Sequence, residues 1–143
     1  GFNFRMSEIS AALVNSQLKK LNFFVNKRNQ IAKTYLKLIK NPKFIFQDNN
    51  KDAKSSYHLF VVKLTNQNSN QYLKIFKIFN KNKIFINLHY KALHLNPFFE
   101  EMGFKKGQFP ISENYSYTAF SIPIFVGLEE KNIKKIISIL NNF

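Results

Sequence analysis

The run "YHLFVVKL" (57–64) is β-branched, aromatic and apolar on both faces. It reads as a central strand, and such a strand must be covered on both sides. The rest of the chain supplies that cover. After the turn "TNQNSN" (65–70), with Ser69 expected as the cap, Tyr72, Ile75, Phe76 and Phe79 recur at helical spacing. Lys74, Lys77 and Lys81 fall off that stripe and read as a solvated face. A last helix, starting near Glu129, aligns Ile133, Ile136, Ile137 and Leu140 at i, i+3, i+4, i+7.

Two helices lead in. Ser7 is a favourable N-cap for a helix over 7–21, with Glu8 placed near its positive end and Ile9, Ala12, Leu13 and Ser16 following at helical spacing. A second helical register runs Leu21, Phe24, Arg28, Ile31, Tyr35 and Leu38, a second helix is expected over 22–40, and Pro42 stops it. "KFIF" (43–46) reads as a short strand, "IFINL" (84–88) as a second buried strand, and "SIPIF" (121–125) as extended. A short helix is expected over 111–119. The expected fold class is α/β, with helices packed on a short three- or four-stranded sheet. The 143 residues are expected to form one domain, a helical lead (1–40) and an α/β body (41–143). With 45% hydrophobic residues, the chain can bury a real core.

Composition narrows the chemistry. The absence of Cys excludes disulfides, Cys metal sites and Cys nucleophiles, and fits a cytoplasmic location. No apolar run is long enough to span a bilayer as a helix, so no membrane partner is expected. The net charge of +14 suggests a basic module for nucleic acid or another anion. Against that, only Arg5 and Arg28 among the 22 basic residues are arginines, the lysines form no long run, and Asn, Ile and Phe abound as in AT-rich coding. Nucleic acid is therefore the second reading. Four glycines make no phosphate cradle. His89 and His94 have no carboxylate at ligand spacing, so no metal site is expected. Glu100–Glu101 and Glu129–Glu130 read as solvated helix turns, and His58 as a buried core histidine. "HYKALHLNPFFEEMGFKKGQFP" (89–110) is too long for a plain connector and is the natural place for function.

"GFNFRMSE" (1–8) sets Gly, Asn, two aromatics and Arg before a helix N-terminus. From the residues alone, Asn3 either satisfies local backbone or offers its amide to an anion.

The segment "GFNFRMSEISAALVNSQLKKLNFFVNKRNQIAKTY" resembles the stretch that follows the cofactor-lysine segment in the DegT/DnrJ/StrS family of nucleotide-sugar aminotransferases. "SSYHLFVVKL", "HYKALHLNPFFEEMGF" and "FPISENYSYTAFSIPIFVGLEEKNI" match further family pieces in order. The resemblance implies the small C-terminal domain of a fold type I aminotransferase dependent on pyridoxal 5'-phosphate. It implies that the N-terminal domain bearing the Schiff-base lysine lies ahead of Gly1, so no catalytic residue is expected here and the chain alone is expected to be inactive. It implies a homodimer in which Asn3 reaches the cofactor phosphate of the neighbouring subunit, with Arg5 supporting. His89, Tyr90, Lys91 and Ala92 correspond to the loop contacting the nucleotide-sugar substrate, and His94 supports it. An amino acid, glutamate by analogy, would be the amino donor. Phe2 and Phe4 replace the family's Tyr, and Ala92 its Pro; losing that ring implies a less constrained loop.

Overall fold

A computed structural model describes residues 4–48, 52–66 and 68–143. Asn3, and with it the expected phosphate contact, lies outside the described residues. Ser7 caps α1 (Glu8–Leu18), its hydroxyl accepting from the Ser10 amide at 3.2 Å. A turn at Lys19–Lys20 separates it from α2 (Leu21–Leu38). α2 buries Ile31, Ala32 and Tyr35. Leu21 and Leu38, expected on the buried register, are exposed, and Ile39 beyond the helix is buried instead. Leu21 and Leu38 are the first and last residues of the helix, and the backbone turns extended at Ile39, which is the residue that reaches the core.

Strand β1 (Phe44–Phe46) pairs antiparallel with β2 (Phe60–Leu64), which pairs antiparallel with β3 (Ala119–Ile122). The register sets Phe44 opposite Leu64 and Val62 opposite Phe120. β2 is central, as its apolar run requires, but it is shorter than expected. Tyr57 holds φ 45°, a left-handed conformation no strand accommodates. His58 therefore falls before the strand and is exposed, not a core histidine.

Helix α3 (Ser69–Lys81) is capped by Asn68, which accepts from the Gln71 amide, rather than by Ser69. It buries Ile75 and Phe79 and leaves Lys74, Lys77 and Lys81 exposed. The stretch 84–88 is not a buried strand. One bridge, Asn87 to Ser121, joins it to β3, and Phe85 is 80% exposed. Only Ile84, Ile86 and Leu88 turn partly inward, so the run lies along one side of β3 instead of between two strands. A 3-10 turn (Leu93–Leu95) and the short α4 (Pro97–Glu101) follow, then α5 (Pro110–Thr118), β3 and α6 (Glu130–Asn141).

The core forms where α2, α3 and α6 meet the sheet: Tyr35, Phe60, Val62, Leu64, Ile75, Phe79, Phe120, Ile136 and Leu140. The Tyr35 ring meets Phe60 edge-on, and its hydroxyl donates to the Pro123 carbonyl at 2.9 Å. Burial holds that phenol well above its ordinary pKa. Tyr72 donates to the Ala119 carbonyl and titrates near 12, raised by burial and then by Tyr115. Among the described residues no helix is long and apolar enough to cross a membrane.

Candidate functional site

The long segment after α3 is ordered by contacts from one direction. Asn87 and Ser121 exchange both backbone hydrogen bonds, at 3.2 and 2.7 Å. That bridge brings the Ser121 hydroxyl within 2.8 Å of His89 Nδ1 and 3.2 Å of the Asn87 carbonyl. A hydroxyl donating to that carbonyl accepts from Nδ1–H and leaves the His89 Nε2 lone pair available. The next residue, Tyr90, is 73% exposed, its ring edge-on to His89 at 5.0 Å. Lys91 is exposed as well.

Ala92 is buried. Its N–H donates to the Ser116 hydroxyl at 2.7 Å, and that hydroxyl donates to the Ser112 carbonyl at 3.1 Å. Ala92 holds φ −57°, inside the range a proline ring would impose. Burial and a hydrogen bond hold this backbone where a ring is lacking.

His94 is buried, and its Nε2 lies 2.9 Å from Glu113 Oε1. The same oxygen accepts the N–H of Gly107 at 2.7 Å and of Phe109 at 3.4 Å. The His94 hydrogen bond, helped by these amides, holds the Glu113 carboxyl below its usual pKa against the opposing effect of desolvation. The ionised carboxylate can only accept, so Nε2 carries the proton. Gly107 reaches its place at φ +96°, a conformation that disfavours any side chain although a Cβ would meet nothing within 4 Å.

His94 thus has the carboxylate partner that sequence spacing did not suggest, because Glu113 is 19 positions away and joined only by the fold. The His94 ring also packs on Phe109 at 4.8 Å, beside an apolar groove of about 310 Å³ lined by Leu93, Phe99 and Phe104. Glu113 and Ser116, one helical turn apart on α5, and Ser121 on β3 were all missed from sequence; no local pattern marks them. Glu100 and Glu101 are exposed, while Glu129 and Glu130 pair with Lys131 and Lys134, as solvated helix turns do. Among the described residues no three His, Cys, Asp or Glu side chains cluster as metal ligands. Arg5 is exposed, and no hydrogen bond or ion pair joins it to the 89–94 segment.

Residues 1–141 match the family model of the DegT/DnrJ/EryC1/StrS aminotransferases. The chain is 30% identical over 145 residues to a UDP-4-amino-4,6-dideoxy-N-acetyl-beta-L-altrosamine transaminase of Helicobacter pylori, covering 100% of this chain and 38% of that protein. A Campylobacter jejuni protein of the same name is 32% identical over 137 residues, covering 94% and 35%. Among solved structures, Helicobacter pylori PseC, an aminotransferase involved in the biosynthesis of pseudoaminic acid, superposes with a TM-score of 0.89 at 28% identity, over 99% of this chain and 38% of that one. The chain therefore spans little more than a third of the length of these relatives.

Proposed function

The chain belongs to the DegT/DnrJ/EryC1/StrS aminotransferase family, and from that premise we propose that it is the C-terminal, substrate-contacting part of a nucleotide-sugar aminotransferase. In the complete protein, an amino group passes from an amino acid, glutamate by analogy, to a UDP-4-keto-6-deoxy sugar on a route to surface-glycan nonulosonic acids. The two transaminases of one name among its relatives support that sugar. The observation that carries the reading is the 89–94 segment: His89, Ala92 and His94 are fastened inward, and Tyr90 and Lys91 face solvent between them.

Pyridoxal 5'-phosphate is the cofactor this reading requires. It supplies the electron sink for amino transfer. The described residues do not fit its covalent anchor, because every described lysine is exposed except half-buried Lys63 on β2. The anchoring lysine is assigned to a preceding domain, and no step of the transfer is assigned to this chain. Its residues bind and orient. His89 and Tyr90 present a ring nitrogen and a phenol to the sugar nucleotide, and Lys91 offers an ammonium to its diphosphate. Ala92 and His94 hold that surface in place. Asn3 donates to the cofactor phosphate of a second subunit in a homodimer, with Arg5 supporting its segment. The protein acts in the cytoplasm, and the 143 residues alone are inactive.

The test fuses residues 1–143 behind the preceding portion of the Helicobacter pylori relative and assays amino transfer to the keto sugar. Activity in the fusion, none in the isolated chain, and a large loss on Asn3→Ala are expected. A folded, cofactor-loaded fusion that transfers no amino group overturns the reading.

A further inference from the structure

The Ser116 hydroxyl is committed on both sides. Its proton goes to the Ser112 carbonyl, one turn back on α5, so the lone pair facing Ala92 is an acceptor. The Ala92 N–H occupies it at 2.7 Å, and both residues are 3% exposed. On the other side of Ala92, its carbonyl accepts the Leu95 amide at 3.0 Å and closes the 3-10 turn beneath Tyr90 and Lys91. The Ser116–Ala92 contact and the His89–Ser121 contact bracket the exposed pair.

We propose that Ser116 is a positioning residue for the substrate-contacting loop, acting through the Ala92 amide in the role a ring would fill at this backbone angle. The assignment rests on the proposed substrate role of residues 89–92, and it makes a reciprocal prediction. Ser116→Ala leaves a buried N–H without a partner. Ala92→Pro suits φ −57° but drives its ring onto the hydroxyl that stands 2.7 Å from the nitrogen. The double variant removes donor and acceptor together. Each single change is harmful, and the pair is close to neutral.

Hydrogen exchange on the 143-residue chain reads the first half. The Leu95 and Asn96 amides, both bonded within the turn, should exchange about tenfold faster in each single variant and return to within about threefold in the double one. The second half is kinetic, in the fusion. Each single change should raise KM for the sugar nucleotide about tenfold with kcat altered less than about twofold, and the double variant should recover it. Exchange unchanged at Leu95, or faster equally throughout β2 and β3, overturns the positioning role. So does faster exchange at Leu95 with an unchanged KM. Absence of amino transfer in the unsubstituted fusion counts against the aminotransferase reading, while the exchange pattern still decides the Ser116 assignment.

Discussion

Helices α1 and α6 are nearly equal in length, 11 and 12 residues, but α6 gathers its apolar residues on one face while α1 spreads its own around the axis. α6 buries Ile136, Ile137 and Leu140 against the sheet. α1 buries nothing: Ile9 is 85% exposed and Leu13 61%. An apolar stripe reports that a helix has a face to bury. Apolar residues without that concentration can stand exposed. The periodicity of α6 is answered by Tyr35, Phe79 and Phe120 in the same core. α1 has no such stripe and buries no residue.

The contrast can be broken by substitution. Ile136→Ala or Leu140→Ala should cost the chain ~2–5 kcal/mol in urea unfolding, through lost burial and a residual cavity. Tyr35→Phe comes next, because it removes the hydrogen bond to the half-buried Pro123 carbonyl, and about 1 kcal/mol is expected in the same measurement. Glu113 asks whether tight packing extends to the 107–113 turn. Its folded pKa lies below the ordinary 4.5, so its contribution is complete above 4.5 and fades as pH falls through that value to the folded one. Unfolding followed against pH should give a steep acid limb, and Glu113→Gln should flatten it. On the α1 side, Ser7→Ala should weaken the helix start by about 1 kcal/mol, seen as faster exchange of the Ser10 amide, without lowering the unfolding midpoint. Smallest of all, Ile9→Ala and Leu13→Ala should each change global stability by less than about 0.5 kcal/mol. A cost there equal to that of Ile136→Ala would erase the distinction.

Where local chemistry decides a feature, the sequence was readable. Ser7 capped as its side chain predicts, α3 and α6 buried their stripes, and β2 took the centre of the sheet. The misreadings share a cause. His58, Leu38 and the 84–88 run depend on backbone departures: a left-handed Tyr57, an extended Ile39, a single bridge to Ser121. None of these has a periodic signature. The site divides the same way. The 89–110 stretch stands out for its length, and residues 89–94 within it through the family resemblance. Their supports do not, because Ser116, Glu113 and Ser121 lie 24, 19 and 32 positions from the residues they hold. Two hydroxyls and a lone carboxylate, on α5 and β3, carry no local pattern that tells them from ordinary surface until the chain is folded.

The alternate fastening of the 89–94 segment also separates what the fold constrains from what it leaves open. Substitutions at His89, Ala92 or His94 disturb buried partners, so selection for folding alone resists them. Tyr90, Lys91 and Leu93 lie exposed among them and can drift at little cost to stability. A lineage built on this scaffold can therefore vary these three exposed positions with no compensating repair elsewhere. The rigidity of the anchors makes the positions between them evolvable.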